Sequence, residues 1–206
     1  MAAAAPEIPA GPPHAGPPAG APPRPSFNIV PRPGLPLVAI VLAGLVTAIA
    51  GDWLWGLTWF HVVGGGAWTA IDLFVGFILG PIIGRMSIPA RIEFSTRFMP
   101  AMLLLMPTLV TMTLSSGFQL ARHLGYLDPS YPRHAWIVAS MVVVGVMATV
   151  ALGYLEPANI AVLFELKKPK PNGLVIERLM KRFVYTSGIT GLAQVATLII
   201  MTRIAS

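Results

Sequence analysis

The stretch LTWFHVVGGGAWTAIDLFVGFILGPIIGR, residues 57–85, is almost entirely apolar, yet it contains His61 and Asp72. It is longer than the roughly twenty residues that an α-helix needs to cross the hydrocarbon of a bilayer. A charged side chain at the middle of such a helix costs about 2.5–3.5 kcal/mol, so polar residues there usually face the interior of a helix bundle. The stretch therefore predicts a transmembrane helix, and its two polar residues are candidate functional positions.

The whole chain has the same apolar character. Of 206 residues, 55% are hydrophobic and 11% are charged, and the mean hydropathy is +0.72. Soluble domains carry about 25% charged residues. We predict an all-α fold, a polytopic transmembrane helix bundle in which a four-helix core follows one N-terminal span. The five predicted spans cover residues of about 35–50, 57–84, 98–121, 134–154 and 183–202.

Three segments are predicted to lie outside the membrane interior. Residues 1–34 are rich in Pro, Ala and Gly, so we expect a disordered cytoplasmic tail that buries little apolar surface. Residues 87–97 and 157–166 each have a proline near their start, and we expect separate helices along the membrane surface. In this interpretation Glu156 and Pro157 mark the end of the fourth span.

The basic residues predict the orientation of the chain. Eleven Lys and Arg residues fall in the N-terminal tail and in the loops on the same side of a five-span bundle, against three on the other side. Basic loops stay in the cytoplasm. We therefore predict a multi-pass protein of the inner (plasma) membrane, with the N-terminus cytoplasmic and the C-terminus outside. Scattered charge of this kind indicates contact with the lipid bilayer and gives no sign of nucleic-acid binding.

Three histidines are predicted at the outer membrane interface: His61, His123 and His134. The absence of cysteine excludes iron–sulfur clusters and thiolate sites, so a metal would need His, Met, Asp or Glu ligands. One interpretation is a shared site that binds copper or supplies axial nitrogens to a haem. The other is that three unconnected histidines each face interfacial water.

Asp72 is predicted to lie near the middle of the membrane, about 16 Å from His61 along the helix. It is a candidate proton or ion site. The structural alternative is a neutral Asp that is hydrogen-bonded to Gln194, Thr190 or Thr111.

The same helix carries a stripe of small residues: Gly76, Gly80 and Gly84. Such a stripe allows close approach of another helix, of a second copy in a homo-oligomer, or of a flat ligand.

The run FHVVGGGAWTAIDLFVG resembles the His-x6-Trp helix of the copper-resistance D family and of the HemJ-type membrane protoporphyrinogen oxidases, which are small haem-binding membrane bundles. The resemblance covers His61, Gly65, Trp68 and Phe74, and extends loosely to RFMPAMLLLMPTLVTMTLSSG. It implies a four-helix core and makes His61 the expected haem or copper ligand. Asp72, and the absence of a basic residue after the Trp within the membrane, depart from the pattern and argue against porphyrinogen oxidation.

Three functions follow from these observations. The first is electron transfer or copper handling, with haem b or copper bound near the outer face through His61 and either His123 or His134. The second is a non-enzymatic accessory or assembly subunit that packs against a respiratory complex and binds no cofactor. The third is a small transporter centred on Asp72.

Overall fold

The computed structural model describes residues 27–205, which form helices joined by short loops. Two helices pass without a break through short π-helical segments, here called the first and the second π segment. The elements are, in chain order, a 3₁₀ turn Arg32–Gly34, α1 Leu35–Ala50, α2 Leu54–Leu73, the first π segment Phe74–Leu79, α3 Gly80–Arg85, α4 Ile88–His123, α5 His134–Val150, the second π segment Ala151–Leu155, α6 Glu156–Lys167 and α7 Gly173–Ala205.

Five helical stretches are long and apolar enough to cross a membrane. They are Arg32–Ala50, Leu54–Arg85, Ile88–His123, His134–Lys167 and Gly173–Ile204. The prediction of an all-α bundle with five such helices is confirmed.

The two predicted surface helices are wrong. Residues 87–97 form the first turns of α4, with Ser87 at the position before the helix and Pro89 in its first turn. A proline at that place begins a helix without interrupting it. Residues 157–166 belong to α6, which continues α5 through the second π segment. Glu156 therefore lies inside a continuous apolar helix, not at its end.

Both π segments accommodate a proline. A proline ring in an α-helix clashes with the carbonyl of the residue four positions earlier. For Pro81 and Pro157 those residues are Phe77 and Gly153, and each lies inside a π segment. The wider π turn relieves the clash locally, so the helix continues past the proline.

The distribution of polar and apolar side chains is inverted relative to a soluble protein. Asp72, Ser95, Ser116 and Asn159 are completely buried. Large apolar side chains cover the outside, for example Ile189, which is 69% exposed. Lipid tails solvate apolar side chains and offer no hydrogen bonds, so this arrangement fits a multi-pass membrane protein.

The core is built mainly by α2, α4, α7 and the α5–α6 helix. α2 packs against α4, and α7 packs against α2, α5 and α6. α1 lies at the side against α2 and α4, and only Leu45 and Ala48 of this helix are buried. This matches the expected four-helix core with one additional N-terminal helix.

The end of the predicted tail is structured. Phe27 and Ile29 pack against the core, and Lys167 Nζ donates a hydrogen bond to the Phe27 carbonyl. The same ammonium group lies 4.5 Å from the centre of the Phe27 ring. The prediction of disorder therefore does not hold for residues 27–34, and its remaining part, residues 1–26, lies outside the described residues.

Candidate functional site

Asp72 is the best-defined polar group of the bundle core. It is completely buried where α2 faces α7. Ser187 Oγ donates a hydrogen bond to Oδ1 at 2.6 Å, and Gln194 Nε2 donates one to Oδ2 at 3.0 Å. The expected contact with Gln194 is confirmed. Thr111 is exposed, so its expected role as a partner is wrong.

Thr190 lies beside the same carboxyl group, as expected. Its hydroxyl donates to the backbone carbonyls of Thr186 and Ser187, each at 2.9 Å. The sequence analysis missed Ser187. A signal for it exists, because α7 carries a polar stripe at the spacing of one helix face, and all four of its members are buried: Ser187, Thr190, Gln194 and Thr197.

Glycines of the first π segment and of α7 bring α7 close to α2 near Asp72. A Cβ atom on Gly76 would lie 2.3 Å from Gly188 Cα, and one on Gly191 would lie 3.0 Å from the backbone nitrogen of Leu73. The first distance leaves no room for a side chain, and the second is tighter than nearly all real Cβ contacts. Because the two backbones approach so closely, the short side chain of Asp72 reaches across to the hydroxyl of Ser187.

A second carboxyl group, Glu156, shares a cavity with Asp72. The cavity measures about 10 Å³, which is room for about one water molecule. Its lining includes both carboxyl-bearing residues and Ser187, and otherwise consists of apolar side chains from α2, the first π segment, α4, α7 and the second π segment. The interpretation of Glu156 as a boundary residue is therefore wrong, since its side chain reaches the bundle interior.

Three polar side-chain atoms at this site are buried without a hydrogen-bond partner: Trp68 Nε1, Glu156 Oε2 and Gln194 Oε1. Trp68 lies one helical turn before Asp72, and its indole N–H is close to that carboxyl group without a hydrogen bond of normal geometry. Buried polar atoms in proteins are nearly always satisfied, so such a cluster indicates a bound water, an ion or a second arrangement of the same groups.

Electrostatics favours a neutral site. None of the described residues that line the cavity is Lys or Arg. An unpaired carboxylate in the membrane interior would cost about 2.5–3.5 kcal/mol. Gln194 suits both charge states, because Nε2 can donate to a carboxylate, whereas after rotation of the amide Oε1 can accept from a protonated acid.

His61 is bound to α4. Its Nδ1 lies 2.9 Å from the carbonyl oxygen of Thr113, and its ring occupies the space left by Gly117. A hydrogen bond from Nδ1–H to a carbonyl leaves the lone pair of Nε2 free, which is the tautomer of many metal-bound histidines. Gly65 and Trp68, the two other residues expected to contact a cofactor, contact the protein itself: Gly65 packs against the side chain of Thr113, and Trp68 is buried beside Asp72.

The other two histidines have different neighbours. His123 is exposed and its Nδ1 lies 3.9 Å from Asp52 Oδ1, whereas His134 Nδ1 lies 3.4 Å from the carbonyl oxygen of Tyr126. Thr113, to which His61 is bound, precedes His123 by about 15 Å along α4. The structure thus gives each histidine a separate partner. Within residues 27–205, no three His, Asp or Glu side chains come together as a metal site.

The glycine stripe is used inside the monomer. Gly76 packs on Gly188 and Gly80 on Val184, so α7 of the same chain covers these two positions. Only Gly84 has open space beside it. Self-association through the stripe stays a prediction, for which this one glycine is available.

No family model, no curated protein and no solved structure matches the chain. The resemblance to the copper-resistance D family therefore stays a prediction that rests on the residues around His61.

Proposed function

We propose that this chain is a multi-pass protein of the inner membrane that takes up and releases a proton at Asp72, as part of proton-coupled transport or a proton relay. The observation that supports this best is a completely buried carboxyl group that shares a water-sized cavity with a second one, Glu156. One hydrogen-bonded Asp would be enough to join α2 to α7. A second carboxyl group with a buried, unpartnered oxygen adds cost without adding a helix contact.

Both charge states of Asp72 have partners. As an acid, Asp72 can donate its proton to Gln194 Oε1. As a carboxylate, it accepts hydrogen bonds from Ser187 Oγ and Gln194 Nε2, which is the arrangement seen in the structure. A water in the cavity, or Glu156, is the nearest acceptor for the released proton. Partners for both states lower the cost of switching between them.

The same proposal includes the orientation of the protein. The eleven-to-three distribution of Lys and Arg supports a cytoplasmic position for residues 85–97 and 164–182. The N-terminus would then be cytoplasmic and the C-terminus outside.

Infrared spectroscopy of the purified protein in lipid tests the proposal directly. A protonated carboxyl group has a C=O band that is replaced by carboxylate bands when the proton leaves. We expect part of this band to be replaced by carboxylate bands as the pH is raised, because a proton site must exist in both forms. Asp72→Asn should remove the titrating component, and Glu156→Gln should shift it, because the two groups share one cavity.

Two results would count against a proton site. A band that keeps its intensity over the whole pH range would make Asp72 a permanent structural hydrogen-bond donor. A band that responds to Na⁺ at constant pH would instead indicate a cation site. The exposed pair Glu93 and Arg97 offers a matched control, since Glu93→Gln removes a carboxylate at the surface and should leave the buried band unchanged.

A second candidate function is haem or copper binding at His61, for electron transfer or copper handling. The hydrogen bond from His61 to the Thr113 carbonyl favours it, because it leaves Nε2 in the form that binds metals. Absorbance spectra of oxidised and reduced protein, with elemental analysis, test this candidate. His61→Ala should then lose the cofactor and His123→Ala should keep it, since His123 is exposed. Colourless, metal-free protein from cells supplied with both iron and copper would count against it.

A further inference from the structure

A groove of about 270 Å³ runs between α7 and the helix formed by the first π segment and α3. Gly84 and Glu177 lie toward one end, and Gly76 and Val184 toward the other. From Gly84 to Gly76 the helix rises about 12 Å. At about 30 Å³ per water molecule, the groove has room for several waters.

The end of the groove near Gly84 is ionic. Arg91 is only 6% exposed, and its Nη1 lies 3.1 Å from Glu177 Oε2. Lys181 Nζ lies 2.8 Å from the other oxygen of Glu177. Nε and Nη2 of Arg91 donate hydrogen bonds to the backbone carbonyls of Ile83 and Met86. Buried charges are costly unless they are paired or close to water. The cluster lies at the end of the bundle where most of the Lys and Arg residues are found, here called the basic side.

The opposite end of the groove, near Gly76, approaches the cavity of Asp72. Val75 and Ser187 line that cavity, whereas their chain neighbours Gly76 and Gly188 meet backbone to backbone just below it. The contact is so tight that a Cβ atom on Gly76 would lie 2.3 Å from Gly188 Cα. Gly76 lines the groove, and its contact with Gly188 adjoins two residues that line the cavity of the buried carboxyl group.

We propose that the groove is filled with water and that Asp72 exchanges its proton through it with the basic side of the membrane, when the Gly76–Gly188 contact opens. The inference rests on the proposed proton site. In the exchange the O–H bond of Asp72 breaks, a groove water takes the proton as hydronium, and the carboxylate accepts hydrogen bonds from Ser187 and Gln194. Because Ser187 adjoins Gly188, a shift of α7 that opens the contact also moves the hydroxyl bound to Asp72.

The chain has no cysteine, so single cysteines can report on water in the groove without other changes. The groove variants are Gly84→Cys, where a Cβ meets nothing within 4 Å, and Val184→Cys. Ile82→Cys and Ile78→Cys are controls at similar depth, since both residues are 52% exposed and lie outside the groove lining. A charged, membrane-impermeant methanethiosulfonate reagent is added to each face of membrane vesicles in turn.

We expect the groove cysteines to react at least about fiftyfold faster than the controls, and only from the basic face, because a charged reagent is excluded from hydrocarbon. Val184→Cys reacting as slowly as Ile78→Cys would overturn the proposal. Reaction from the opposite face would also overturn it. Reactivity that appears only after removal of anionic lipid would show that lipid, not water, occupies the groove.

A second measurement links the groove to Asp72. A bulky thiol reagent on Gly84→Cys should slow hydrogen–deuterium exchange of the Asp72 carboxyl group, followed by infrared spectroscopy, at least about tenfold. The same reagent on Ile82→Cys should have no effect. Unchanged exchange in labelled Gly84→Cys would mean that the groove is not the route. If the Asp72 band does not titrate at all, the proposed function fails, whereas the cysteine rates still report whether the groove holds water.

Discussion

Asp72→Asn separates the chemistry of the buried site from its contribution to folding. Asparagine has nearly the same shape as aspartic acid but has no carboxyl group that could take up or release a proton. Its Oδ1 can accept the hydrogen bond from Ser187 Oγ, now 2.6 Å long. Its Nδ2 can donate to Gln194 Oε1, which is buried without a partner. Both contacts between α2 and α7 can therefore be kept.

The expected magnitude follows from those contacts. Hydrogen bonds between membrane helices contribute about 0.6 kcal/mol on average and about 1.7 kcal/mol at most. If Asp72 is a neutral acid, Asp72→Asn keeps both bonds and should change the free energy of unfolding by less than about 0.5 kcal/mol. Ser187→Ala removes one bond and should cost about 0.6–1.7 kcal/mol, and Asp72→Ala removes both and should cost about 1–3 kcal/mol.

Reversible unfolding in mixed micelles, titrated with sodium dodecyl sulfate, measures these differences. Thr47→Ala is a suitable control, because Thr47 is exposed and its hydroxyl bonds only to the Ala43 carbonyl of its own helix. The reasoning is wrong if Asp72→Asn destabilises as much as Asp72→Ala. Stabilisation by about 2.5–3.5 kcal/mol would instead show that Asp72 is ionised at rest, since the substitution would then remove a buried charge.

Three further predictions concern packing, the ionic end of the groove and the loop between α4 and α5. Gly76→Leu should destabilise by about 3 kcal/mol or more, because its Cβ would meet the α7 backbone, whereas Gly84→Ala should change the free energy of unfolding by less than about 0.5 kcal/mol in the same micelle assay. Arg91→Ala should cost about 2–4 kcal/mol, and Arg91→Lys should restore little of it, because lysine cannot span the carbonyls and the carboxylate that the guanidinium joins. Hydrogen bonds from Ser130 lower the pKa of Asp128, so the folded loop is favoured above the usual aspartate pKa of about 3.9 and loses this contribution as pH falls further. Asp128→Asn should therefore flatten the acid side of the stability–pH curve.

The bundle itself could be predicted from the sequence, because each apolar run is long enough to span a membrane. The errors occurred at prolines. Pro89 begins α4 instead of separating a surface helix from it, and Pro157 is absorbed by the second π segment. A proline excludes one hydrogen bond and creates one clash, and a helix held on both sides by lipid and neighbouring helices adjusts locally rather than ending.

The polar site was predictable only in part. Asp72 stands out in an apolar run, and Gln194 is a nearby amide at a suitable depth. Ser187 could have been found from the buried polar stripe on α7. Glu156 could not, because its approach to Asp72 depends on how the second π segment continues α5 into α6. For the histidines, proximity to one membrane face did not imply contact, since each is bound by a different segment.

The Gly76–Gly188 contact ties stability and function to the same atoms. It brings α7 close enough for Ser187 to reach Asp72, and it also lies between the groove and the buried cavity. Any larger residue at Gly76 must push α7 away, which lengthens the hydrogen bond to Asp72 while it widens the route from the groove. Loss of activity in such a variant would therefore not distinguish a broken site from a leaking one. Substitutions at Asp72 leave the contact intact, and those at Gly84 alter the groove without touching it, so together they can assign the two roles separately.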